Sequence, residues 1–340
     1  MPTSSRAASP PEMRILDAKA VDALIDDRMV LDAIRGLFSL PPEPGEIGFG
    51  RIELMHPAGW LRSLPAFIKS RDLVGFKVLH RTEGVGMRYT IYVHRLSTGE
   101  LEGIVDALEI TNLRTGAVSA VATDHLAPRD VNVAAIVGTG PVARGQLRAI
   151  ELVRSASEVR VFARTPSNRA AFVAEMSGFV KGRLVDSATL EEALEGATLV
   201  TLATKARSPV LLAEHLHPGM HVNSVGPASR DRVEIDPAVF AMFDRLVCDA
   251  VDLVFDEAGD AYRAILDKGF DPTRADELNA VVTGRADGRV RADEITLFKS
   301  VGTGAQDLAV ASQLLDLAAA AGVGTVVADV NSIKPVAPGG

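Results

Sequence analysis

Residues 131–143 read VNVAAIVGTGPVA, and this stretch decides the fold. Its apolar first half predicts a buried strand, its glycines a tight turn, and the amphipathic residues after it a helix. Gly138 can adopt the tight turn, Gly140 has no side chain to block a pyrophosphate, and the small Ala143 lets helix and strand approach closely. A helix N-terminus presents unpaired N–H groups that suit phosphate, so the stretch favours a dinucleotide site over an ordinary strand-to-helix turn. The predicted cofactor-binding residues of this turn are Gly138, Thr139, Gly140, Pro141 and Val142.

The end of the next predicted strand, 159–163, bears on which dinucleotide is bound. NAD-binding proteins with such a turn usually carry Asp or Glu there, which bonds the ribose 2′-hydroxyl. Here the strand is followed by Arg164 and Thr165, whose guanidinium and hydroxyl suit a 2′-phosphate. The sequence therefore favours NADP(H), with NAD(H) as the alternative if Arg164 is merely solvated.

Composition excludes several classes of protein. The chain has 340 residues, of which 47% are hydrophobic and 24% charged, as in globular proteins with more than one domain. A net charge of −8 argues against a general nucleic-acid binder. Cys248 is the only cysteine, which suits a reducing compartment, and no apolar run reaches membrane-spanning length. We expect a cytoplasmic protein with neither nucleic acid nor membrane as a partner.

The order of predicted elements indicates two domains. From residue 131 onward, apolar strands alternate with helices, which predicts a Rossmann-type, doubly wound parallel sheet of the α/β class. The earlier part predicts two helices before residues 41–42, a hairpin of strands 85–96 and 101–110, and a helix capped by Thr111 and Asn112. A final helix, 306–321, follows the sheet. The predicted domains are a dinucleotide-binding domain, 128–305, and a smaller mixed α/β domain for substrate binding and dimerisation, 13–127 with 306–332, flanked by flexible tails, 1–12 and 333–340.

Two further groups of residues are candidates for binding a cofactor or a metal. Thr204 follows the predicted strand 197–203, and parallel sheets bind ligands at that end of a strand, so we predict a contact with the cofactor; a turn cap is the alternative. His215, His217 and His221 surround a Pro-Gly turn with no acidic or thiol ligand beside them. We therefore predict no metal site.

Seven short motifs resemble, in order and spacing, those of the ornithine cyclodeaminase/mu-crystallin family. They are LPA 64–66, GFK 75–77, LRTGA 113–117, GTG 138–140, PGMHVN 218–223, VG 225–226 and LFKSVG 297–302. The resemblance implies a homodimer with a central dinucleotide domain, and a substrate carboxylate bound by Arg51, Lys77 and Arg114, the predicted catalytic residues. An arginine offers a planar fork to a carboxylate, whereas a lysine supplies a compact charge that can pass a proton.

One departure from the family changes the expected reaction. Cyclodeaminases of the family carry a catalytic Asp after the VG motif, and counting back from Glu234 that position is Ala228 here. Without this carboxylate, loss of ammonia has no evident base. The resemblance then implies an NADPH-dependent reductase of C=N bonds, or an amino-acid dehydrogenase, acting on a small substrate with an α-carboxylate. The alternatives are a cyclodeaminase-like lyase that recycles NAD and a ligand-binding protein without catalysis.

Overall fold

A computed structural model describes residues 12–226, 229–328 and 330. Its strands are β1 (Met13–Leu16), β2 (Ile47–Phe49), β3 (Ile52–His56), β4 (Gly59–Ile68), β5 (Leu73–Thr82), β6 (Gly86–Arg95), β7 (Leu101–Asp106), β8 (Val131–Val137), β9 (Ala156–Phe162), β10 (Arg183–Asp186), β11 (Leu199–Leu202), β12 (His221–Ser224), β13 (Arg245–Cys248), β14 (Ala275–Glu277), β15 (Thr296–Lys299) and β16 (Thr325–Val327). Its helices are α1 (Ala18–Leu24), α2 (Asp27–Phe38), α3 (Leu108–Leu126), α4 (Pro141–Glu151), α5 (Pro166–Met176), α6 (Leu190–Leu194), α7 (Val251–Glu257), α8 (Gly259–Lys268), α9 (Leu278–Val282) and α10 (Gly304–Ala321).

The chain forms two compact units. The carboxylate unit, as we name it for its proposed ligand, contains the described residues up to Ile25, Glu43–Ile110 and those from Gly304 onward. The nucleotide unit contains Asp26–Pro42 and Thr111–Thr303. These units follow from packing alone, and the predicted functional domains, 13–127 with 306–332 and 128–305, stay a prediction. Of the predicted tails, 1–12 and 333–340, only Glu12 lies within the described residues.

The nucleotide unit is built on an eight-stranded sheet in the order β10-β9-β8-β11-β12-β15-β13-β14. Every neighbouring pair is parallel. Along β8, Ala135 and Val137 belong to one buried core, whereas Ala134 and Ile136 belong to another. Because successive strand residues point to opposite faces, the sheet carries a core on each side. The predicted doubly wound α/β class is confirmed.

The carboxylate unit contains a mixed sheet in the order β16-β1-β7-β6-β5-β4-β2, with β3 paired to β4. Only the β1–β7 pair is parallel; the others are antiparallel. Helix α10 packs on β4, β5 and β6. At its first residue, Gly304, a Cβ would lie 2.3 Å from the carbonyl oxygen of Leu64, so glycine is needed for this close approach.

Helix α3 corrects the predicted cap. It begins at Leu108, and Asp106 Oδ1 accepts a hydrogen bond of 3.2 Å from the Leu108 N–H. The predicted return strand 101–110 therefore ends at Asp106, and Thr111 lies inside the helix. Residues 113–123 of α3 are all buried, so the helix is enclosed by the protein on every side. Its sequence consequently has no amphipathic period to mark where it starts.

Helix α2 and most of helix α3 lie in the nucleotide unit. In the nucleotide unit, Arg148 Nε of α4 lies 3.0 Å from Asp27 Oδ2 at the start of α2. Gln146 Nε2 of α4 donates 2.9 Å to the carbonyl oxygen of Thr115 in α3. A Cβ at Gly116 would lie 2.1 Å from the carbonyl oxygen of Gly145, so α3 and α4 approach backbone to backbone. These contacts explain why most of both helices packs with the nucleotide unit.

Candidate active site

The glycine turn after β8 has two glycines with different needs. Gly138 has φ +119°, and a Cβ there would lie 2.3 Å from the carbonyl oxygen of Ala203, so the fold itself requires glycine. Gly140 is the N-cap of α4 with φ −79°, and a Cβ there would meet no atom within 4 Å. The fold therefore gives no steric reason for glycine at 140. The open space lies at the N-terminus of an 11-residue helix, where an anion is stabilised.

Arg144, which the sequence analysis missed, holds this turn in place. Its Nη1 donates 2.6 Å to the carbonyl oxygen of Thr139, and its Nε donates 2.9 Å to Glu175 Oε1 of α5. The Glu175 carboxylate raises the pKa of the Arg144 guanidinium above its usual value. Its guanidinium carbon also lies 5.4 Å from the centre of the Phe172 ring. The turn is thus pinned to α5 through one cation.

Arg164 and Thr165 follow β9 and are both exposed. Thr165 is the N-cap of α5, yet its hydroxyl makes no capping bond to that helix. The backbone just before them is fixed, because the buried Arg169 donates from Nη1 to the carbonyl oxygen of Ala163 at 2.8 Å. The two side chains therefore project from an anchored loop, where an exposed arginine suits either solvent or a phosphate.

Thr204 lies two residues after the end of β11 at Leu202. Its hydroxyl donates 2.8 Å to Glu234 Oε1 and accepts from the Ala206 N–H at 3.1 Å. The second bond closes a turn, which is the alternative role that the sequence left open for this residue. A cofactor contact of Thr204 stays a prediction.

These residues share one edge of the parallel sheet. The glycine turn follows β8, Arg164 follows β9 and Thr204 follows β11, and in the sheet β8 lies between β9 and β11. On one side of β8 the chain proceeds to β9 and β10, and on the other to β11 and β12. Such a switch point, at the carboxyl ends of the strands, is where open α/β sheets bind their ligands.

Arg114 is buried in α3, with 5% of its surface exposed. It is the seventh residue of the helix and does not lie in the first turn, where the predicted cap at Thr111 and Asn112 would have placed it. A Cβ at Gly302, which has φ +78°, would lie 2.5 Å from Arg114 Nη1. Asp249 fixes the Gly302 segment by accepting bonds of 2.8 Å from both Ser300 Oγ and the Gly302 N–H. The guanidinium therefore rests against a glycine on an anchored loop.

Lys77 lies on β5 in the carboxylate unit and is only 1% exposed. Its Nζ donates 2.8 Å to Asp307 Oδ1, and Asp307, in the first turn of α10, is fully buried. A buried ammonium needs such a partner, because an unpaired charge away from water is costly. Arg51 lies between β2 and β3 in the same unit and is partly exposed.

The histidines of the Pro-Gly turn do not converge. His221 is fully buried on β12, with its ring nitrogens 2.8 Å from Thr296 Oγ1 and 3.2 Å from Asn223 Oδ1. Burial lowers the pKa of His221 to about 3, so its imidazole stays neutral. His215 instead accepts at Nδ1 from the Leu212 N–H. In the part of the chain that the structure describes, no three His, Cys, Asp or Glu residues are grouped to hold a metal ion.

The parallel sheet and the residues at the carboxyl ends of its strands define a dinucleotide-binding α/β protein. Comparison with known proteins gives its family. A model of the ornithine cyclodeaminase/mu-crystallin family matches residues 45–322. The chain belongs to the ornithine cyclodeaminase/mu-crystallin family, which confirms the expected membership. Ala228, where the family's catalytic Asp is expected, lies outside the described residues.

Several of the proteins to which the chain is similar are reductases or dehydrogenases. Delta(1)-pyrroline-2-carboxylate reductase of Bacillus cereus is 30% identical over 268 residues, 77% of this chain and 82% of that protein. The structure of Thermococcus litoralis Delta(1)-pyrroline-2-carboxylate reductase in complex with NADH and L-proline is 30% identical, with a TM-score of 0.87 over 93% of this chain and 100% of that one. An archaeal alanine dehydrogenase dimer with bound NAD is 25% identical, with a TM-score of 0.85 over 94% and 99% of the two chains.

Within residues 12–226, 229–328 and 330, no helix is long and apolar enough to cross a membrane.

Proposed function

We propose that the protein is an NAD(P)-dependent oxidoreductase that reduces a C=N bond in a small substrate bearing an α-carboxylate, or oxidises the corresponding amino acid in reverse. The main observation behind the proposal concerns Gly140, which lies at the N-terminus of α4 and at the switch point of a parallel sheet. No contact within the protein requires glycine at this position. The reductase relatives, similar over most of the chain, support the same reaction class.

The chain's own residues would bind, orient and supply charge. The N-terminal N–H groups of α4 bind the pyrophosphate, with Thr139, Pro141 and Val142 forming the turn around it. A bound reduced nicotinamide supplies the hydride. Arg51, Lys77 and Arg114 bind the substrate carboxylate and so fix the orientation of the carbon that accepts the hydride. Lys77 Nζ also keeps a proton available for the imine nitrogen, because an iminium accepts hydride better than a neutral imine.

Replacing Gly140 by Ala tests whether the cofactor binds over this turn. We expect cofactor affinity to fall about 5- to 150-fold, since a methyl group placed in a close contact typically costs about 1–3 kcal/mol. The thermal midpoint should hold or rise slightly, because the added Cβ meets nothing in the protein and Ala restricts the unfolded chain. Fluorescence titration with NADPH and NADH, beside a thermal melt, measures both.

Gly178→Ala is the matched control for this substitution. Gly178 lies in the same unit, and a Cβ there also meets nothing within 4 Å. The control should bind cofactor as the unaltered protein does. If Gly140→Ala also binds NADPH and NADH with unchanged affinity, no pyrophosphate lies over the turn and the proposal fails.

The preference for NADP(H) is the finer part of the proposal, with Arg164 and Thr165 on the 2′-phosphate. Arg164→Ala should weaken NADPH binding about 10- to 100-fold, because a hydrogen bond to a charged group contributes about 1.5–3 kcal/mol. NADH binding should not change. Arg183→Ala is the control, since Arg183 on the neighbouring β10 is an arginine whose side chain is 75% exposed. Equal losses for both cofactors, or for neither, would rule out this role for Arg164.

A homodimer and a cytoplasmic location complete the proposal. On β3, the apolar side chains of Ile52 and Leu54 on one face of the strand and of Met55 on the other are each more than 60% exposed. Exposed apolar residues on an edge strand mark a surface that another chain covers. The similar alanine dehydrogenase is a dimer. The single cysteine, Cys248, is a buried thiol, as suits a reducing compartment.

A further inference from the structure

Glu234 is a buried carboxylate at the carboxyl edge of the parallel sheet, with 2% of its surface exposed. Its Oε1 accepts from the Thr204 N–H at 2.6 Å and from the Thr204 hydroxyl at 2.8 Å. Its Oε2 accepts from Ser224 Oγ and from the Gly226 N–H, both at 2.9 Å. Four donors therefore converge on one side chain, two on each oxygen.

This carboxylate connects the segments that follow two neighbouring strands. Thr204 lies after β11 and Gly226 after β12, and the two strands are paired through Leu202 and Ser224. A Cβ at Gly226 would lie 2.4 Å from Glu234 Oε2, so glycine is what lets the carboxylate reach this backbone. Backbone N–H groups cannot rotate away, and Glu234 thereby fixes the relative position of the two segments.

A second buried pair, Lys299 with Asp260, is linked to Glu234 through hydrogen bonds. Lys299 Nζ, at the end of β15, donates 2.8 Å to Ser224 Oγ and 2.8 Å to Asp260 Oδ2. Asp260 Oδ2 in turn accepts from the Glu234 N–H at 3.2 Å. Ser224 thus accepts from the ammonium and donates to the Glu234 carboxylate. A fully satisfied buried network of this kind holds its members in one arrangement.

The segment held by Glu234 forms a wall of the glycine turn. A Cβ at Gly138 would lie 2.3 Å from the carbonyl oxygen of Ala203, the residue before Thr204. A displacement of Thr204 would therefore move the backbone against which the turn packs. From this geometry we propose that Glu234 is a positioning residue for the nicotinamide cofactor, acting through Thr204 and the glycine turn. The inference rests on the proposed function, since it names a residue that shapes the same site.

Gln at position 234 cannot accept all of the hydrogen bonds that Glu234 accepts. An amide has one oxygen and one NH₂ group, whereas the two oxygens of Glu234 each accept a backbone N–H. In Glu234→Gln, either the Thr204 N–H or the Gly226 N–H faces another donor. The hydroxyl of Ser224 or Thr204 can turn to accept, but the backbone cannot, so one of the two segments must shift.

The test is a fluorescence titration with NADPH and NADH on the full chain, below the melting temperature of each variant. We expect Glu234→Gln to raise the Kd of the cofactor at least about tenfold. Val239→Ala is the control for stability alone, because Val239 is 1% exposed in the same unit and lies outside this network. It should lower the thermal midpoint and leave the cofactor Kd unchanged.

Each outcome of these titrations either supports or overturns the inference about Glu234. A folded Glu234→Gln that binds cofactor as tightly as the unaltered protein would overturn the inference and leave the proposed function standing. If the unaltered protein binds neither cofactor, the proposed function fails and this inference with it. Should Glu234→Gln not fold, the same titration on Ser224→Ala, which removes one of the four donors, is expected to show a Kd raised about threefold. An unchanged Kd in folded Ser224→Ala would then overturn the inference.

Discussion

Replacing Lys77 by Met together with Asp307 by Leu is expected to lower kcat/KM by at least about a thousandfold, an effect of about 4 kcal/mol. The double variant removes both members of a buried ion pair, and such a replacement by apolar groups is often neutral for stability. Lys77→Ala alone would leave the Asp307 carboxylate buried without its ammonium, which typically costs about 3–5 kcal/mol of stability. Steady-state kinetics with a cyclic ketimine, beside a thermal melt and a cofactor titration, measure the effect.

Cofactor affinity of the double variant should stay within about twofold, because the glycine turn belongs to the nucleotide unit. Arg81→Met is the control for the loss of a cation, since Arg81 is exposed on the same strand, β5. It should retain full activity. If the folded double variant turned over within about threefold of the unaltered protein, Lys77 and Asp307 would be a structural pair only, and the proposed role of Lys77 in binding the carboxylate would be lost.

Gly302→Ala is expected to lower kcat/KM about 30- to 100-fold while cofactor binding is retained. The new Cβ would lie 2.5 Å from Arg114 Nη1, so the guanidinium has to move. Losing a charge-assisted hydrogen bond to a carboxylate accounts for about 2–3 kcal/mol. The loss should appear mainly in KM for the carboxylate substrate, because the interaction is already made in the bound ground state.

Gly284→Ala separates this effect from backbone strain. Gly284 has φ +72°, close to the +78° of Gly302, and lies in the same unit, but a Cβ there meets nothing within 4 Å. Both substitutions carry the cost of about 1–2 kcal/mol for a left-handed alanine. Only Gly302→Ala should lose activity. Equal activity of the two variants would show that the position of Arg114 does not matter to the reaction.

The strand-turn-helix stretch was readable from sequence because every local signal agrees there. β8 covers Val131–Val137 as predicted, since its residues are apolar on both faces and a glycine ends the run. Pro141 at the first position of α4 marks the start of the helix. The final helix begins at Gly304, two residues before its predicted start. Local chemistry sufficed for these elements.

The sheet of the carboxylate unit was largely missed for a local reason. Strands β4 and β5 contain Pro65 and Gly75, which interrupt the alternating pattern on which strand prediction depends. In the sheet of the nucleotide unit, β10 and β14 were missed because they are only four and three residues long, too short for a periodic signal. These strands form because pairing with the neighbouring strands of the sheet stabilises them.

The partners of the site residues were out of reach for a different reason. Lys77 lies between the apolar Phe76 and Val78, but its partner Asp307 is 230 residues away. Glu234 lies between the apolar Val233 and Ile235, and nothing local shows that four donors would converge on it. Pairings of this kind arise from tertiary packing alone.

The most direct measurement of the proposed reaction follows NADPH consumption and ammonia release together, with a cyclic ketimine carboxylate as substrate. We expect one NADPH to be oxidised for each imine reduced, no ammonia to appear, and the reverse reaction to reduce NADP⁺ with the product amino acid. Release of ammonia from a diamino acid with no net change in the cofactor would contradict the proposed function and indicate the lyase reaction instead.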